Sequence, residues 1–200
     1  MSKSEIIKRI GGYFPHFEKA VRKGLESHHR LYSDTAEVHS KRTQSNLRYD
    51  HMIRAASETL PKKEFRLIQV GNRNVFSFRG EILVQFKKFN GKVMTSNYPT
   101  PQADQFDMLG EIGGLPGLLF PLPLISVGYV GREGHGLEGI FMTRIVNHRP
   151  EWVERLDKND EDEQQPPIIS ILPNDPKTPP PSRIRRITRR NPPATGSTES

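Results

Sequence analysis

The stretch from Glu64 to Tyr98, EFRLIQVGNRNVFSFRGEILVQFKKFNGKVMTSNY, does most to limit what this chain can become. Val, Ile, Phe and Leu come in short runs parted by Gly and Asn, a pattern that suits consecutive strands and not a helix. Phe65 to Val70, Val75 to Phe78 and Ile82 to Phe89 are the expected strands, with Gly71-Asn72 and Arg79-Gly80 as turns. Side chains alternate along a strand, so Ile82, Val84 and Phe86 share one face of the longest run. Leu83, Gln85, Lys87 and Phe89 share the other. The first face is apolar; the second is mixed.

Helical patterns precede this block. Ile6, Ile7 and Ile10 sit at helical spacing until Gly11-Gly12 interrupts. A second helix is expected from about Pro15, since a proline in the first turn gives up an N–H that has no partner there. Its apolar stripe is Phe17, Ala20, Val21, Gly24 and Leu25, with Lys19, Arg22, Lys23 and Arg30 turned away. A third runs from about Thr43 or Ser45 to Leu60, with Ser45 as the expected cap and Pro61 as the stop. After the strands come the irregular Asn97 to Pro101, a short helix from Gln102 to Leu109 and a loop rich in Gly and Pro. Leu124 to Val130 reads as a buried strand, paired across a turn at Gly131 to Gly136 with Leu137 to Val146. The expected architecture is α+β: N-terminal helices on a mostly antiparallel sheet of about five strands, one domain over residues 1–157 (helical 1–61, sheet 64–157).

Beyond Asp157 the composition changes. Asp160 to Glu163 are all acidic, nine of the 17 prolines follow, and RIRRITRR occupies Arg183 to Arg190. Such a segment buries too little apolar surface to offset its ordering entropy, so residues 158–200 are expected to be a disordered tail. Arg183, Arg185, Arg186, Arg189 and Arg190 fit a phosphate backbone, an acidic partner or the tail's own acidic patch. Ile168 to Leu172 has the composition to add to a sheet edge.

Charge is uneven. Residues 1–63 hold 13 Lys/Arg against 7 Asp/Glu, residues 64–157 hold 10 against 10, and the rest hold 7 against 6. A basic helical end fits an anionic partner, DNA or RNA among them, or plain solubility. With no cysteine, disulfides and thiolate metal sites are excluded. The N-terminus lacks a signal peptide's apolar core, and Leu115 to Val130 is too short and too broken by proline to span a bilayer. A soluble, cytoplasmic chain is expected. The glycines of GEIGG and GREGHG lack the spacing and strand-to-helix setting of a phosphate-binding loop.

Two groups of residues carry chemical readings. HSKRTQSNLRYDHM holds Arg42, Ser45, Asn46, Arg48, Asp50 and His51; Arg42 and Arg48 are candidate nucleic-acid contacts. Asp50 beside His51 suits acid–base work or, equally, a hydrogen-bonded network holding helix to sheet. Glu81, Gln85 and Lys87 lie on or just before the longest strand. A carboxylate followed by carboxylate- or amide-x-Lys is how metal-dependent nucleases hold a divalent ion and offset charge on the attacked phosphate. The helix, three strands, helix, strand order resembles the core of PD-(D/E)XK nucleases, with QFK in place of their E-x-K. Gln85 is a neutral ligand and no Pro-Asp precedes it, so the alternative is an ordinary solvated strand face.

KRTQSNLRYDHM, EILVQFKKF, SNYPTPQADQFD and ISVGYV together resemble a family of small bacterial proteins. Its members are encoded beside a helix-turn-helix regulator carrying an ImmA/IrrE-type metallopeptidase domain, a pairing similar to RosmerTA-type toxin–antitoxin and phage-defence modules. The likeness spans about residues 40–146. It implies a toxin-like effector held silent by the adjacent-gene regulator, with Arg42, Ser45, Asn46, Asp50, His51, Tyr98, Pro99 and Thr100 as the positions carried over.

Overall fold

Three helices precede the strands in the computed structural model, which describes residues 1–70, 73–94, 111–112, 121–132 and 136–157. Helix α1, Lys3–Ile10, starts from a reciprocal cap: the Glu5 N–H donates to the Ser2 hydroxyl, and the Ser2 N–H donates to the Glu5 carboxylate. Gly11–Tyr13 tighten into a 3-10 turn, and α2 follows as Phe14–Tyr32 with Pro15 in its first turn. Its buried stripe is Phe17, Ala20, Val21, Gly24 and His28. A second 3-10 segment, Ser33–Val38, leads to α3, Lys41–Thr59. Ser40, not Ser45, caps α3 by accepting from the Thr43 N–H at 3.2 Å. Ser45 bonds back to the Lys41 carbonyl within the helix.

The strands are β1 (Phe65–Val70), β2 (Arg73–Phe78), β3 (Ile82–Phe89), β4 (Glu111–Ile112), β5 (Leu122–Arg132), β6 (Gly136–Val146) and β7 (Arg149–Arg155). They lie in the order β1-β2-β3-β5-β6-β7, with β4 pairing β5. All pairings are antiparallel except β3 with β5, which run parallel from Leu83↔Leu124 to Phe89↔Val130. The α+β expectation holds, with more strands than the five expected. Arg79 and Gly80 form the turn before β3 in the left-handed region, at φ 49° and 73°. Asn147 and His148 turn β6 into β7 in the same way, at φ 50° and 60°.

Helices cover one face of the sheet. Phe65, Phe78, Val84, Phe86, Ile125, Val127, Ile140 and Met142 meet Ile6, Ile10, Phe17, Val21, Met52 and Ile53 there. The Phe17 ring stands edge-on to Phe65 and Phe86, with centroids 5.7 and 6.5 Å away. The opposite face is buried as well: Val70, Val75, Leu83 and Leu124 form a second cluster, and Gln85 is only 3% exposed. The mixed face of β3 is therefore not an ordinary solvated one. Both faces of a strand with a parallel neighbour are covered, and Gln85 is accommodated by donating to the Ser126 hydroxyl at 2.8 Å on β5.

The Gly71-Asn72 turn, Tyr98 to Thr100, the helix at 102–109, most of the following loop and the tail with its five arginines lie outside the described residues. Among the described residues no helix is long and apolar enough to cross a membrane.

Candidate nucleic-acid interface

β2 and β3 part company before the sheet ends. Their pairing stops at Phe76↔Val84, whereas β1 stays with β2 as far as Val70↔Arg73 and β3 stays with β5 as far as Phe89↔Val130. Residues 73–75 and 85–88 thus flank a split, and α3 bridges it. The Tyr49 hydroxyl donates to the Asn74 carbonyl and accepts from the Asn74 N–H, each at 3.2 Å, satisfying the backbone that a neighbouring strand would otherwise take up. Burial drives the Tyr49 phenol above its ordinary pKa, so it stays a neutral donor.

The split opens into a cleft of about 260 Å³. α3 supplies Ser45, Asn46, Tyr49 and Met52, β2 supplies Arg73 and Asn74, β3 supplies Gln85 to Lys88, and β5 supplies Tyr129. The sequence of α3 explains why the helix can do this. Its second half is tied down by buried Met52, Ile53, Ala55 and Ala56, whereas KRTQSN in its first half is polar all round and has nothing apolar to bury. That half is left to form a polar wall.

Arg73, Lys87 and Lys88 are cationic, and among the described residues no Asp or Glu lines the cleft. Arg48 adds charge behind the wall: its guanidinium lies near the buried Tyr129 hydroxyl and partly opposes the rise in pKa that burial causes there. On the basic outer face of α2, Arg22 pairs with Glu18 at 2.7 Å and Lys23 with Glu58 at 2.6 Å.

The five residues read as catalytic from the sequence do not meet. Glu81 lies at the start of β3, exposed, in an ion pair with Arg9. Gln85 is spoken for by Ser126, and Lys87 lines the cleft three residues from the end of the split. Asp50 is exposed on α3, while His51 turns toward α2, where its Nδ1 lies 3.0 Å from the Ser27 hydroxyl and its ring stands edge-on to His28 and Tyr32. Neighbours on a helix point about a hundred degrees apart, which sends Asp50 to solvent and His51 to the helix interface. Arg42 is exposed on the first turn of α3. Among the described residues no three His, Asp or Glu side chains converge in the way a metal ion needs. Of the α3 positions implied by the family resemblance, Ser45 and Asn46 stand in the cleft wall.

Sequence reasoning missed Arg73, Asn74 and Tyr129. Each joins the cleft through strand placement that its own sequence neighbourhood does not encode. Tyr129 was open to view only as an aromatic within an apolar run.

His51 belongs instead to an imidazole and phenol cluster with His28, Tyr32 and His39. Burial holds His28 down at about 4, with Arg48, His51, His29 and His39 adding repulsion. A histidine kept neutral in the fold is protonated first in the unfolded chain. Stability is therefore expected to fall as pH drops from about 6.5 to about 4 and to gain nothing from this group above that window. Urea midpoints at about pH 7 and about pH 4.5 check this: the drop should shrink by about 1–3 kcal/mol in His28→Gln. An equal drop in both proteins would show that His28 does not control it.

No family model, curated protein or solved structure matches the chain.

Proposed function

We propose that this chain binds nucleic acid, with the cleft between the first half of α3 and the parted strands β2 and β3 as its phosphate-contacting site. The observation behind this reading is that Arg73, Lys87 and Lys88 all line one cleft, with no carboxylate among its described lining residues. Phosphates are anionic, and cations gathered in a partly enclosed site attract them more strongly than cations scattered over a surface. Binding is favoured over cleavage because the residues named for metal-assisted hydrolysis are spread over a strand start, two sides of α3 and a buried strand face.

Neutralising phosphates releases counterions, so affinity for a labelled oligonucleotide should fall steeply with salt, with about 0.7 in log–log slope per phosphate contacted on a single strand. Lys87→Ala and Lys88→Ala should each flatten the slope by about that amount, and removal of residues 177–200 should flatten it further if the arginine tail takes part. Salt-independent binding, or none, removes the reading.

The presence of Ser45 and Asn46 in the cleft wall also supports a biological setting. Under the resemblance over residues 40–146, the chain is the effector of a two-gene toxin–antitoxin or defence module, silenced by the adjacent-gene regulator. Expression alone should then slow growth and co-expression of the neighbouring gene should restore it. Normal growth at verified soluble levels would discard that setting without touching the binding reading.

A further inference from the structure

Histidines gather at one corner of the fold, where α2 ends and α3 passes it. Tyr32 is the hub: its ring stands against those of His28, His39 and His51, with centroids 5.4, 6.1 and 5.7 Å away. His28 and His51 are edge-on to each other at 6.0 Å. His28 is only 8% exposed, and its Nε2 has no hydrogen-bond partner. The groups acting on it are Arg48 and His51 from α3, His29 from its own helix and His39 from the connection, and each repels a proton there. Among the described side chains nearby in sequence, Asp34 accepts from the Ser33 hydroxyl at 3.1 Å, Glu26 and Asp50 are exposed, and none of the three bonds to His28. Protonating this corner therefore puts like charges together where burial already disfavours charge.

Anchoring decides what such charge would part. The core holds α2 by Phe17, Ala20 and Val21, and the second half of α3 by Met52, Ile53, Ala55 and Ala56. Between them, from Ser33 to His51, no described residue is buried. This stretch is held by the Ser40 cap, by the Gln44 carboxamide donating to the His39 carbonyl at 3.2 Å and by the Tyr49 bonds to Asn74. A segment with partly exposed hydrogen bonds and no buried anchor opens at lower cost than the core around it.

We infer that this corner is an acid-operated latch: protonation of the histidines around Tyr32 releases residues 33–50 from α2 and the strands while the sheet stays folded. Ser45, Asn46 and Tyr49 leave the cleft wall with that segment, so acid opens the cleft. The latch is a property of the fold and stands apart from what the cleft binds.

Hydrogen–deuterium exchange of the full chain at pH 7.5 and pH 5 tests this, with protection factors used so that the intrinsic pH dependence of exchange cancels. The released form takes up the proton, so release grows as pH falls through 6.5 and levels off below about 4. At pH 5 this one histidine favours release by on the order of thirtyfold. Protection over residues 41–50 should fall by about that factor, while β3, β5 and β6 keep theirs to within about threefold. In His28→Gln the loss over residues 41–50 should shrink to under about threefold, and in His51→Gln, at a half-buried position, it should shrink in part. Equal loss of protection in the sheet and in the segment overturns the latch, because the acid response would then be global unfolding. So does protection over residues 41–50 that ignores pH, or a loss of undiminished size in His28→Gln. Should His28→Gln not fold, the unmodified chain and His51→Gln decide by the same criteria.

Discussion

Replacing Gly24 with alanine should lower the stability of the fold by about 2–3 kcal/mol. The sign is not obvious, because alanine inside a helix is intrinsically better than glycine by about 0.5–1 kcal/mol. Packing decides it. A Cβ at Gly24 would stand 2.7 Å from the Met52 Cα and 2.9 Å from its backbone nitrogen and its Cγ. Two of those three atoms are backbone, so α3 itself must move. Met52 also lines the cleft, and a displaced α3 carries Ser45, Asn46 and Tyr49 with it. Stability and oligonucleotide affinity should therefore decline together. Gly12→Ala is the matched control, since a Cβ there meets nothing within 4 Å. Thermal and urea melts of the two variants decide the matter: a Gly24→Ala protein as stable as Gly12→Ala would mean that α2 and α3 do not approach this closely.

The contact shows how far local pattern reaches. Gly24 was readable as part of the apolar stripe of α2, because helical periodicity is a property of neighbouring residues, but its partner across the helix pair was not. The first three strands were readable for the same reason. Alternation and the Arg79-Gly80 turn mark β2 and β3 within a dozen residues. β7 escaped notice because RPEWVER carries charges and a proline, which an edge strand tolerates and sequence patterns penalise. The cap of α3 was misplaced because Ser40 and Ser45 both precede plausible helix, and only the bond from the Thr43 N–H distinguishes them. The cleft was half visible. Asn46 and Lys87 stood out as polar residues in the two groups read for chemistry, and Ser45 as a candidate cap beside them, whereas Arg73 and Tyr129 reach it through pairings set by non-local register. The parallel joining of β3 to β5 creates that register, and it depends on a crossover whose course the intervening residues do not announce.

Gly128→Ala should be the most damaging glycine-to-alanine change among the described residues, costing about 4 kcal/mol or more. Lys87 and Gly128 are register partners in the parallel pair. A Cβ at Gly128 would lie 1.8 Å from the Lys87 carbonyl oxygen, 2.8 Å from its carbonyl carbon and 3.0 Å from the Phe89 ring. No rotamer relieves the first two contacts, because both atoms are main chain, so β3 and β5 would have to separate in the middle of the sheet. Glycine inside the otherwise apolar ISVGYV run is the sequence mark of such a close approach. The expected result is loss of the cooperative melt or of soluble protein, set against Gly91→Ala, where a Cβ meets nothing within 4 Å. Adding Phe89→Ala removes the ring contact and leaves the carbonyl one, so the double variant should recover no stability. If it does recover, the ring and not the Lys87 main chain is what Gly128 makes room for. A Gly128→Ala protein that melts like the unmodified chain would mean that β3 and β5 are not paired in this register, and the floor of the cleft would have to be redrawn with them.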